Sequence, residues 1–164
     1  MFERLFLALD DSPAGEMAIL FATALAQRGG ASIHVLHVNE HVITDPRVTM
    51  LSRADATELV TKAVEHMAQA GVRASGSVAV ARHRHVPNRI AEFSRTRGAD
   101  AIVLGSHRHH RFGGVFSARV RERTTRLTSL PLLTAPAPLE VSRGFELNDA
   151  LAHASELELH HLLK

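Results

Sequence analysis

Short runs of consecutive apolar residues alternate, along most of this chain, with stretches in which apolar residues recur every three or four positions. The first pattern fits strands covered on both faces, and the second fits amphipathic helices packed against them. Leu5–Leu9 is such a run, closed by Asp10-Asp11-Ser12-Pro13, where Ser12 suits a helix N-cap and Pro13 the first helical position. Ala14–Gln27 then carries Met17, Ala18, Leu20, Phe21, Ala24 and Leu25 at helical spacing, and Gly29-Gly30 stops it. A second strand is predicted over Ser32–Val38, with His34 and His37 as a strand-end pair of rings rather than ligands. After Asn39-Glu40 comes a polar connection through Asp45-Pro46, placed to lie over a ligand. A helical pattern follows through Leu51, Ala54, Leu59, Val60, Ala63, Val64 and Met67, ended by Gly71.

Val72–Val80 alternates more loosely, as a strand nearer a sheet edge does. Pro87 starts a further helix through Ile90, Ala91 and Phe93, which Gly98 stops. Ala101-Ile102-Val103-Leu104 shows no alternation and reads as a buried central strand, from which Gly105-Ser106-His107 lead into a basic, glycine-containing loop. Val120–Leu127 reads as a short helix and Leu130–Ala135 as a fifth strand, with Pro131 suited to a strand start or edge.

Strand–helix alternation at this spacing predicts an α/β fold, a doubly wound five-stranded parallel sheet with helices on both faces. Right-handed crossovers leave few topologies, and the order favoured is 3-2-1-4-5. In that order the winding reverses between the first and fourth strands, whose carboxyl ends then bound a ligand cleft. Asp10 falls on one lip and Gly105 with Ser106 on the other. The α/β domain is expected over residues 1–135. Residues 136–164 form an extension whose helical stripe, Leu147, Leu151, Ala154, Leu157 and Leu162-Leu163, needs a partner surface.

Composition narrows the function. The chain has 164 residues, 45% of them hydrophobic and 22% charged, which fits one globular domain with a proper core. Its first residues show no secretion signal, and no apolar window is long enough to span a bilayer, so a cytoplasmic protein without membrane contact is expected. The chain has no cysteine, which removes disulfides, thiolate catalysis and cysteine zinc sites. Lysine occurs only at Lys62 and Lys164, so arginine carries the positive charge. A formal net charge of +2 is too small to imply nucleic acid, and only the stretch from His107 to Arg126 is basic enough to attract an anion.

Leu7-Ala8-Leu9-Asp10-Asp11-Ser12-Pro13, Leu36-His37-Val38, Ala99-Asp100-Ala101-Ile102-Val103-Leu104-Gly105-Ser106-His107 and Leu130-Pro131-Leu132-Leu133 occur in an order that resembles the universal stress protein family. The resemblance covers about Met1 to Ala135 and implies a five-stranded parallel sheet, usually in a homodimer joined through the last strand. Many members bind ATP and others do not. In those that do, the signature Gly-x2-Gly-x9-Gly is followed by Ser or Thr. Counted from Gly105, these places hold Arg108, Ala118 and Arg119 here. Asp10 resembles the family's nucleotide-contacting acid, and Val38 matches the segment whose backbone lines adenine. Asp11 stands where a glycine is usual, and Val86-Pro87 keeps only the proline of the usual glycine-proline.

Glycines in such a loop let successive backbone N–H groups form an anion-binding nest, so Arg108 should reshape it. Ala118 leaves a helix start with its free N–H groups, and Arg119 exchanges a hydroxyl for a cation. Gly113-Gly114 supplies flexibility by a different route, and the arginines, Arg111 among them, offer pairing to phosphate oxygens. The candidate nucleotide-binding residues are therefore Asp10, Ser12, Val38, Gly105, Ser106, Arg108, Gly113, Gly114, Ala118 and Arg119, with ATP, accompanied by magnesium, as the ligand.

Other chemistries fit less well. His107-x-His109-His110 and His83-x-His85 contain metal-binding side chains, but successive histidines on an arginine-rich loop read more simply as a solvated segment that gains charge near pH 6. No metal site is expected. No Gly-x-Ser-x-Gly elbow surrounds Ser12, Ser106 or Ser117, so no catalytic residue is assigned and slow hydrolysis would require ATP first. Two functions stay open: a nucleotide-responsive stress protein, or a dimeric scaffold that acts through contacts with another protein without ATP. Either is expected to dimerise through the fifth strand, whose edge is otherwise unpaired.

Overall fold

The computed structural model describes residues 1–40, 51–106 and 118–137. Five strands, β1 (Arg4–Leu9), β2 (Ser32–Glu40), β3 (Ala74–Ala81), β4 (Ala101–Leu104) and β5 (Leu132–Thr134), form one parallel sheet in the order β3-β2-β1-β4-β5. This is the predicted order. Among the described residues four α-helices cover it: α1 (Pro13–Gly29), α2 (Arg53–Gln69), α3 (Val86–Thr96) and α4 (Ala118–Leu127). The proposed tail helix lies outside the described residues.

The central strands are apolar throughout because both of their faces are covered. Leu5, Leu7, Ile33, Val35 and Val103 point into a core shared with α1 and α2. Phe6, Ala8, Leu36, Val38, Ile102 and Leu104 point into a second core with Val86 and Ile90 of α3 and Val120 of α4. Helix α1 approaches the sheet through Ala14, Ala18, Ala22 and Ala26, a four-residue repeat that sets small side chains in one row. The row brings the helix axis close to β1, which matters at the helix's first turn.

Strand boundaries differ from the sequence reading in instructive places. β2 does not stop at Val38 but runs through Asn39 and Glu40, both buried. Asn39 Nδ2 donates to the Leu51 carbonyl at 2.8 Å, and Glu40 Oε2 meets His83 Nδ1 at 2.8 Å, while Glu40 Oε1 is buried with no partner among the described residues. His34 and His37 are consequently inside the strand. Their positions differ by an odd number, so they lie on opposite faces and are not a strand-end pair. At the edges, β3 starts at Ala74 rather than Val72, and β5 is confined to Leu132–Thr134.

Candidate ligand cleft at the strand tips

The ladder between β1 and β4 runs from Leu5↔Ala101 to Leu7↔Val103. Carried past the ladder, that offset sets Leu9 level with Gly105 and Asp10 level with Ser106. No strand separates the two tips. The first turn of α1 is wedged between them and held by two glycines. A Cβ on Gly105 would stand 2.7 Å from the Ala14 carbonyl oxygen, and one on Gly15 would stand 2.2 Å from the Asp10 carbonyl oxygen and 2.9 Å from its Oδ1. Both approaches are backbone to backbone, so neither can be relieved by turning a side chain.

Asp10, only 4% exposed, takes its place through the helix cap. Ser12 Oγ donates to Asp10 Oδ1 at 2.5 Å and accepts the Gly15 N–H at 3.2 Å, while the Ser12 carbonyl accepts the Glu16 N–H at 3.1 Å. One hydroxyl thus ends the helix and orients the acid. Asp11, by contrast, points to solvent. Across the cleft Ser106 Oγ is buried and has no hydrogen-bond partner among the described residues, an arrangement that leaves a donor and acceptor for something else to satisfy.

The third wall is the overhang of β2. Its ladder with β1 ends at Leu9↔His37, whereas its ladder with β3 continues through Val38↔Ala79 to Glu40↔Ala81. Val38, Asn39 and Glu40 therefore project beyond the tip of β1 and form a shelf beside it. The Val38 side chain is fully buried in the α3–α4 core, so any contact it makes with a ligand must be through its backbone. His37 braces the shelf. Its Nδ1 lies 3.0 Å from the Leu9 carbonyl oxygen, which can only accept, so Nδ1 carries the proton. Its Nε2 is buried without a partner among the described residues.

Of the remaining sequence candidates, Ala118 is the first residue of α4 and Arg119 is exposed on its first turn. Arg108, Gly113 and Gly114 lie outside the described residues. His83 and His85 do not converge: His83 faces Glu40, and His85 Nε2 accepts from Arg84 Nε at 3.0 Å. Among the described residues no group of three His, Asp or Glu side chains is placed to hold a metal, and no helix is long and apolar enough to cross a membrane.

The sequence reading missed Gly15, His37 and the Glu40–His83 pair. Gly15 had a local signal, since glycine inside a helix costs about 1 kcal/mol relative to alanine and needs a reason. The two others depend on strand pairing across the fold and left no local trace.

In doubly wound α/β folds the switch point at the strand tips is the usual place for a ligand, and here it holds an acid, a glycine and a buried hydroxyl. The model of the Universal stress protein family matches residues 1–136, and the chain belongs to that family. Its fold is similar to a universal stress protein family structure from Burkholderia pseudomallei, at 23% identity and a TM-score of 0.65, covering 82% of this chain and 96% of that one. It is similar also to the Archaeoglobus fulgidus universal stress protein in complex with dAMP, at 23% identity and a TM-score of 0.59, covering 82% of this chain and 98% of the other. An Arabidopsis thaliana family protein with AMP bound matches at 15% identity and a TM-score of 0.61, covering 87% and 97%. Comparison with curated proteins finds no match.

Proposed function

We propose that this protein is a stress-response regulator that binds an adenine nucleotide in the cleft between the tips of β1 and β4. The observation that carries this reading is the buried Ser106 hydroxyl, without a partner among the described residues and level with the capped Asp10, at the point where the winding reverses. Adenine would lie along the backbone shelf at Val38, Asp10 would accept from ribose hydroxyls, and Gly105 and Ser106 would meet the first phosphate. The start of α4 with Arg119 adds positive potential for further phosphates or for magnesium-bound ATP, and the sequence between Ser106 and α4 carries two more cations, Arg108 and Arg111. Relatives with dAMP and AMP support a monophosphate as the minimal ligand. The assignment is one of binding rather than turnover. Its regulatory output would come from different affinities of two protein states for the nucleotide.

Calorimetry with AMP, and with ATP and magnesium, tests the reading, together with analysis of the denatured purified protein for co-eluting nucleotide. Saturable binding is expected, and Gly105→Ala should weaken it about tenfold or more, equivalent to roughly 1.4 kcal/mol. No heat at millimolar nucleotide and an empty extract would instead favour the dimeric scaffold. The dimer belongs to both readings, because β5 is only three residues long and pairs with β4 on one side. A monomer mass across micromolar concentrations in sedimentation would remove it.

A further inference from the structure

At the opposite end of the same strands, three arginines from separate parts of the chain border one open cavity of about 300 Å³. Arg4 begins β1, Arg73 immediately precedes β3, and Arg97 follows α3, with Ser32, His34 and Ser75 completing the polar wall. We propose that this cavity is a second binding site, for a dianionic phosphate group, separate from the nucleotide cleft.

Among the described residues no acidic one borders the cavity. None of the three arginines forms an ion pair among the described residues, whose pairs are Lys62–Glu58, His83–Glu40, Arg89–Glu92 and Arg126–Glu122. The nearby Asp100 carboxylate is engaged elsewhere: Oδ2 accepts the backbone N–H groups of Glu3 and Arg4 at 2.6 and 3.2 Å. Among the described residues no carboxylate pairs with these three cations, and a multivalent anion beside them relieves their mutual repulsion. Guanidinium is also the side chain whose paired donors match phosphate oxygens.

Enough donors remain free. Arg4 uses Nε on the Gly98 carbonyl at 2.6 Å, which anchors the side chain and leaves both terminal nitrogens available. Arg97 uses one terminal nitrogen, donating to Ser77 Oγ at 3.3 Å. Arg73 makes no side-chain hydrogen bond among the described residues. All three side chains reach solvent, so a ligand can enter. His34 borders the same cavity, its Nδ1 2.8 Å from Ser75 Oγ and its Nε2 3.1 Å from Ser77 Oγ. Burial, and then the charge of Arg97, lower its pKa to about 4, so the ring is neutral near pH 7 and reports on the charge beside it. β1 is six residues long, so the cavity and the nucleotide cleft lie about 20 Å apart, at opposite ends of the sheet.

Two sources share this chemistry, inorganic phosphate and a phosphate monoester. Both are added to the full-length protein at pH 7 and fixed ionic strength, with amide and histidine-ring shifts followed by NMR. Saturable shifts are expected at Ser32–His34, Arg73–Ser75 and Arg97–Ala99, with a rise in the His34 pKa. Tighter binding of glycerol phosphate would identify an ester as the ligand, and equal binding would identify free phosphate. The double variant Arg73→Gln/Arg97→Gln should lose at least about tenfold in phosphate affinity. The single Arg73→Gln variant, which breaks no hydrogen bond among the described residues, should lose part of it, and the AMP-induced shifts at Asp10–Ala14 and Gly105–Ser106 should be unchanged in both. Shifts confined to Asp10–Ala14 and Gly105–Ser106, the same shifts with chloride at equal ionic strength, or undiminished affinity in a folded double variant would overturn the proposal.

Discussion

The carboxyl and amino ends of this one sheet are built in opposite ways. At the carboxyl end the backbone closes on itself: Gly15 and Gly105 admit the first turn of α1 between two strand tips, and Ser12 ties the turn to a buried acid. At the amino end long arginine side chains stand around an open cavity, and among the described residues hydrogen bonds to Gly98 and Ser77 hold two of them in place. The first end derives its shape from missing side chains, which makes it rigid and intolerant of added volume. The second derives its character from charge, which makes it sensitive to salt, pH and counter-ions. A parallel sheet aligns every strand the same way, so its two ends can diverge this far while sharing one core.

Adding volume at the carboxyl end should give the largest effect. Gly15→Ala would return about 1 kcal/mol of helix propensity, but it places a methyl group 2.2 Å from the Asp10 carbonyl oxygen. Overpacking costs roughly 1–3 kcal/mol and more against backbone, so a net loss of about 2 kcal/mol is expected in urea denaturation. A gain in stability would show that α1 is free to slide and that the tips are not locked.

The amino end should respond to acid instead. His34 is neutral in the folded protein with its pKa lowered to about 4, against an ordinary value of 6.5 when unfolded. As pH falls below 6.5 the unfolded chain takes up this proton first, so stability is full above 6.5, declines between 6.5 and about 4, and levels off below. The contribution is on the order of 1–2 kcal/mol after allowance for the partly solvated site. His34→Gln, which keeps a polar group against Ser75 and Ser77, should flatten that part of the stability–pH curve, and an unaltered curve would show that the ring is not the group responsible.

Ser12→Ala should have a smaller effect, about 1 kcal/mol, through loss of the cap to the Gly15 N–H. It sharpens the comparison because the same hydroxyl orients Asp10. If the cleft binds nucleotide as proposed, affinity should fall together with stability. A loss of stability alone would separate the cap from the site.

Much of the fold was legible locally. Unbroken apolar runs at Leu5–Leu9 and Ala101–Leu104 marked strands covered on both faces, and Ser12-Pro13 marked the start of α1 because capping chemistry is a matter of adjacent residues. The strand order followed from alternation and handedness, and it placed Asp10 beside Gly105 and Ser106 correctly. The shelf was not legible. Asn39 and Glu40 look like loop residues until Leu51 and His83 are seen to bond them, 12 and 43 positions away. The pairing of His37 with Leu9, 28 positions apart, was hidden for the same reason.

By itself the sequence determined the elements, their order in the sheet and the acid and glycine at its switch point, since apolar period, caps and breakers act over a few neighbouring residues. Only the tertiary structure decided how closely α1 could enter between the strand tips, which polar side chains could be buried, and that Arg4, Arg73 and Arg97 would meet. Those outcomes rest on distances between residues far apart in the chain, and such distances are fixed only when the strands pair and the helices settle on them.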